Sequence, residues 1–145
     1  MDQVFPVEQL RTFTHSIFKS IGCSDRDAQL ATQVLLQADL RGIDSHGVAR
    51  LIGYVRLWEN DRVNPTPNIK IVHETPSTAV VDGDGAIGMI AATRSMEVAI
   101  EKAKNSGTGW VSTRGSNHYG KAGDYSMLAL EQEMIGISMT NAKPW

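Results

Sequence analysis

The stretch VVDGDGAIGMI, residues 80–90, decides how the second half of the chain is read. Gly83, Gly85 and Gly88 spell G-x-G-x-x-G after a strand-like run and before a helix-like one. That is the context in which a glycine-rich turn cradles a dinucleotide pyrophosphate. Two features weigh against it. The chain holds 13 glycines, so such spacings arise by chance, and GDG alone makes a turn feeding a helix. A dinucleotide fold also calls for an acidic residue at the end of the next strand, where WVSTRG offers Arg114. An arginine suits a 2′-phosphate, which weakens the motif without removing it.

Around this stretch the pattern is mixed α/β. IKIVH (69–73) and STAVV (77–81) read as short strands joined by a turn containing Pro76, a hairpin. Downstream come a helix from about Ile87 to Asn105, a strand WVST (110–113), a glycine-rich loop, a helix from about Ala122 to Gln132, and a strand IGISMT (135–140). Upstream, VNPTPN (63–68) interrupts the pattern, and the residues before it read as helices. Val7, Leu10, Phe13 or Thr14, Ile17 and Ile21 recur at helical spacing after Pro6. Ser24 and Asp27 resemble a capping box ahead of the stripe Ala28, Ala31, Val34, Leu35 and Ala38. A third helix is expected to begin after Asp44 or Ser45, carrying Val48, Leu51, Ile52, Val55 and Trp58 towards Asn60. The expected organisation is a helical segment over 1–62 followed by an α/β portion over 63–145.

The 145 residues are 41% hydrophobic and 21% charged, an ordinary globular balance for one domain. A formal net charge of −2 with no basic tail or Lys/Arg cluster argues against nucleic acid as a partner. Cys23 is the single cysteine, so neither an internal disulfide nor a cysteine zinc site is available, which fits a reducing cytoplasm. No basic stretch leads into an apolar core at the N-terminus, and no apolar run approaches membrane-spanning length.

Two stretches carry chemistry. In TRGSNHYGKAGDY (113–125), His118 is surrounded by Gly115, Gly120 and Gly123. Histidine titrates nearest neutral pH, and glycine lets backbone approach a ligand closely, so the loop is a candidate for proton transfer. In LRGIDSHGVARL (40–51), His46 and Arg50 are four residues apart, on one face if a helix starts at His46. A histidine exchanges a proton with a hydroxyl or carbonyl oxygen, and a guanidinium grips a carboxylate through two parallel hydrogen bonds. The plainer alternatives are a helix cap at the first loop, and a Ser45 cap with a solvated helix face at the second.

Taken in order, ADLRGIDSHGVARL, VVDGDGAIG, GSNHYGKAGDY and IGISMTNAKP resemble the malate/L-lactate dehydrogenase family, which includes ureidoglycolate, sulfolactate and diketogulonate dehydrogenases or reductases. It is distinct from the Rossmann-type lactate dehydrogenases. The resemblance implies an α/β fold in which the N-terminal helices precede part of a non-Rossmann cofactor domain, with G83-x-G85-x-x-G88 a structural turn. It implies hydride transfer between NAD or NADP and a small 2-hydroxy or 2-keto acid, in a homodimer. His118 matches the SNHYG-type motif and His46 the SHG motif, and these are the competing acid/base assignments. Arg50 matches an arginine that holds the substrate carboxylate. His15 and His73 match no such motif. Asn141 and Lys143 fall where cofactor contacts are expected, although Ala142 replaces a serine frequent in the family. Family chains are longer, so the expectation is an N-terminal portion, and the rival reading is a non-catalytic assembly piece with exposed apolar strand edges.

Overall fold

Pro6 has no N–H to lose in a first turn and starts α1 (Val7–Ser20), its carbonyl accepting the Gln9 N–H at 3.0 Å. The computed structural model describes residues 4–141. Helix phase turns Thr14 and Phe18 inward and leaves Phe13 on the surface, which resolves the two alternatives at that turn. In α2 (Asp25–Asp39) Ser24 is the N-cap of the expected box: its Oγ accepts the Asp27 N–H at 3.1 Å, and the Asp27 carboxylate accepts the Ser24 hydroxyl at 2.7 Å in place of the Ser24 backbone N–H. Ala28, Ala31, Leu35 and Ala38 are fully buried along its inner face.

The third helix departs from expectation. Asp44–His46 and Val48–Arg50 form two separate 3-10 turns, and α3 proper is Leu51–Glu59. The interruption is Gly47, extended at φ −89° and ψ −154° and pressed against Asp39, so that a Cβ there would overlap the carboxylate. This break resets the helical phase. The buried residues of α3 are Leu51 and Tyr54, while Ile52 and Trp58, expected on the inner stripe, are exposed.

The hairpin is as expected: β1 (Lys70–Glu74) pairs antiparallel with β2 (Thr78–Ala86), with an irregularity between Ile71 and His73. α4 (Gly88–Ser106) then crosses over, and β3 (Trp110–Ser116) pairs parallel with β2 in a three-stranded sheet ordered β1-β2-β3. α5 (Gly123–Leu130) follows the histidine loop. One core joins Phe18, Leu35, Leu51, Tyr54 and Val63 to Ile87, Met89 and Ile90 of the α4 start. Each large side chain buried there contributes about 1.5–3 kcal/mol.

The glycine-rich stretch is neither a fingerprint nor a turn. Gly83 and Gly85 lie inside β2, where Asp84 and Gly85 adopt left-handed φ of 52° and 72° and break the β2–β3 register between Asp82 and Ala86. The acidic side chains of this bulge have protein partners. Asp84 Oδ2 accepts from Asn64 Nδ2 at 3.0 Å and from the Asn68 N–H at 2.9 Å, pinning the VNPTPN segment. Arg114, considered above for a 2′-phosphate, pairs with Asp82 at 2.9 Å. At Gly88 a Cβ would run into the backbone carbonyls of Asn117 and His118. The histidine loop therefore occupies the α4 N-terminus, and these glycines do not fit a pyrophosphate.

The expected strand at 135–140 is absent among the described residues. Ile135, Ile137 and Met139 are 94%, 62% and 67% exposed and alternate with half-buried Gly136 and Ser138. The alternation of a strand is present, but a strand also needs a backbone partner, and none pairs with this run. Among the described residues no helix is long and apolar enough to cross a membrane.

Candidate active site

The backbone that carries His46 and Arg50 is shaped by Asp39 at the end of α2. Its Oδ2 accepts the Val48 N–H at 2.9 Å, and the absence of a side chain at Gly47 lets the carboxylate come that close. His46 ends the first 3-10 turn and Arg50 the second. Ser45 is no helix cap: its Oγ lies 2.9 Å from His46 Nδ1, and its carbonyl accepts Arg50 Nε at 2.6 Å. With Nε engaged, the terminal nitrogens of Arg50 have no protein partner among the described residues and stay available for a carboxylate.

His118 is delivered from the other half of the chain. Asn117 Nδ2 donates towards the carbonyls of Gly85 and Ala86, each at 3.1 Å, and of Arg62 at 3.2 Å. Three acceptors around one nitrogen fix the amide orientation and tie the loop to the end of β2. Gly120, at φ 76°, then brings the backbone against Val34 and Met89. Behind it Tyr119 and Tyr125 stack with centroids 5.0 Å apart, and the Tyr125 hydroxyl donates to the Tyr119 carbonyl.

These two loops meet. The His46 and His118 rings stack with centroids 5.9 Å apart at an interplanar angle of 29°. His118 Nδ1 lies 2.8 Å from the hydroxyl of Tyr54, whose ring packs 6.2 Å from that of Phe18 in the core. Burial, then the neighbouring His46 and Arg50 charges, hold the His118 imidazole below the ordinary histidine range. Burial also raises the Tyr54 phenol well above its ordinary value, against a smaller opposing pull from Arg50.

Of the residues singled out in sequence, His46, Arg50 and His118 therefore share one surface. His15 pairs instead with Asp25 at 3.3 Å, and His73 is in β1 opposite Val80. Asn141 is exposed in the irregular run after α5, and Lys143 lies outside the described residues. Sequence reasoning missed Tyr54 and Asp39. The available signal for Tyr54 was its position four residues after Arg50 and three after Leu51, on the inward face of α3.

Known proteins are similar to this chain in sequence and in fold. The chain is 47% identical over 128 residues to an L-sulfolactate dehydrogenase of Methanocaldococcus jannaschii, covering 88% of this chain and 37% of that protein. It is 45% identical over 139 residues to a malate dehydrogenase of Pyrococcus horikoshii, covering 96% of this chain and 39% of that protein. The solved structure of sulfolactate dehydrogenase from M. jannaschii superposes with a TM-score of 0.88 at 41% identity, over 90% of this chain and 38% of that one. The malate dehydrogenase structure from P. horikoshii gives 0.86 at 42%, over 88% and 36%. The chain thus spans less than half the length of these relatives. With the malate/L-lactate dehydrogenase family model matching residues 5–145, the chain belongs to that family.

Proposed function

We propose that this chain supplies the substrate-binding and proton-handling side of an NAD- or NADP-dependent dehydrogenase for small 2-hydroxy acids. The observation that carries the reading is the meeting of His46 and His118, 5.9 Å apart, on the surface that presents Arg50. Arg50 holds the carboxylate through its terminal nitrogens, and the paired imidazoles face the adjacent oxygen. One of them, His118 or His46, passes a proton to that oxygen on reduction and takes it back on oxidation. A bound nicotinamide supplies or accepts the hydride. Asn141 and Lys143 are its proposed contacts on this chain, and the reading places the protein in the cytoplasm as a homodimer.

The test is oxidation of NADH or NADPH with a panel of 2-keto acids, using the protein expressed in its native reading frame. The reading expects turnover that disappears with keto compounds lacking the carboxylate. Absence of turnover with every 2-keto acid and either cofactor counts against it. A second reading, an assembly piece, is favoured by the exposed run Ile135, Ile137 and Met139. Calorimetry separates the two, because an assembly piece associates without binding NAD or NADP.

A further inference from the structure

We propose that Tyr54 is a positioning residue for His118: its buried hydroxyl donates to Nδ1 and places the proton of the neutral ring on Nε2, the nitrogen left for a ligand oxygen. The 2.8 Å contact between Tyr54 Oη and His118 Nδ1 fixes the pair but not the direction of the bond. The surroundings of Tyr54 fix that direction. Tyr54 is 2% exposed and packs on Phe18, and its hydroxyl has no other hydrogen-bond acceptor among the described residues. A buried hydroxyl proton without an acceptor is costly, so it goes to the one lone pair within reach. Burial keeps the phenol protonated, so the donor persists at neutral pH.

His118 Nε2 has no hydrogen-bond partner among the described residues. The opposite ring pattern, with Nδ1–H pointing at Tyr54, would strand the phenol proton in the core. The charged ring needs that pattern too, which is a further reason for His118 to stay neutral beside His46 and Arg50. In this form His118 is a hydrogen-bond donor through Nε2–H, suited to polarising a carbonyl oxygen. For Nε2 to accept a proton, the ring proton must first move to Nδ1 and the Tyr54 hydroxyl must turn to accept it. Only the identity of the oxygen as a keto-acid carbonyl rests on the dehydrogenase reading. The tautomer stands without it.

The experiment is a long-range proton–nitrogen correlation on the intact protein labelled with ¹⁵N-histidine, recorded above the His118 titration. Wild type is expected to show His118 with an unprotonated Nδ1 and a protonated Nε2. Tyr54→Phe is expected to move the ring towards a mixture of tautomers, with the His15 and His73 signals unchanged as a check on the fold. A protonated Nδ1 in wild type overturns the proposal, as does an unchanged tautomer in a folded Tyr54→Phe. Should that variant not fold, 3-fluorotyrosine at position 54 keeps the shape and strengthens the donor. It is expected to shift the His118 Nδ1 resonance, and an unmoved resonance overturns the proposal. A failed turnover assay alongside the expected tautomer would sink the dehydrogenase reading and leave Tyr54 as assigned.

Discussion

The Asp39 carboxylate accepts the Val48 backbone N–H at 2.9 Å, and this one bond anchors the pair of tight turns that present His46 and Arg50. A hydrogen bond to a charged acceptor contributes about 1.5–3 kcal/mol. Asp39→Ala is expected to lose stability of that order and to loosen the loop. Gly47→Ala is expected to act in the same direction, because the new methyl would displace the carboxylate from Val48. Denaturant melts of both single variants and the double variant provide the check: non-additive losses show that the two act on one contact, and additive losses refute it.

Gly88→Ala tests why that glycine is present. Its Cβ would overlap the carbonyls of Asn117 and His118, which are backbone and not free to rotate aside. A loss of about 1–3 kcal/mol is expected from overpacking, with changed His118 ring signals. Gly53→Ala, where a Cβ meets open space, is the control and is expected to be neutral or slightly stabilising. A silent Gly88→Ala would mean that the loop does not rest on the α4 start.

Much of this architecture was legible in the sequence because it is local. Ser24 with Asp27, the hairpin around Pro76 and the long stripe of α4 are each specified by neighbouring residues, and each is present. The misreadings are places where distant contacts decide. Gly47 breaks the third helix because of Asp39, on the preceding helix. The GDG stretch is a bulge in a strand because Asp84 binds Asn64 and Asn68. Ile135–Thr140 has the period of a strand and no pairing strand among the described residues. In the candidate site His46, Arg50 and His118 were visible through their motifs, whereas Tyr54 was hidden by a helical phase counted from the wrong start.

Cys23 is 3% exposed, and burial, aided by Asp27, pushes its thiol up to about 11. The thiolate is the reactive form, so the folded protein is expected to resist thiol reagents at neutral pH and to react fully once denatured. Rapid labelling of the native protein would show that α1 and α2 open readily around this residue.

Acid is expected to weaken the fold through His118. Its imidazole is held below the ordinary histidine value when folded, while the unfolded chain titrates normally, so between the two values the unfolded state binds more protons. This contribution is full above the ordinary value and is lost as pH falls through the folded-state value. His118→Gln is expected to flatten that part of a stability profile measured from about pH 8 to pH 5. An unchanged slope would show that the site does not desolvate the ring.

Arg50 discriminates between gripping a carboxylate and merely supplying charge. Nε is held by the Ser45 carbonyl at 2.6 Å, and the two terminal nitrogens of this exposed side chain have no protein partner among the described residues. Lysine keeps the charge and loses both the planar fork and the bond to Ser45. In the active protein, Arg50→Lys is expected to lower kcat/KM for 2-keto acids about 10–100-fold, the equivalent of losing one bidentate contact, while NAD or NADP affinity changes little. Steady-state kinetics with parallel cofactor titration separates the two quantities. Equal losses in cofactor and keto-acid binding would show that Arg50 supports the site as a whole, and undiminished kcat/KM would remove it from the substrate's contacts.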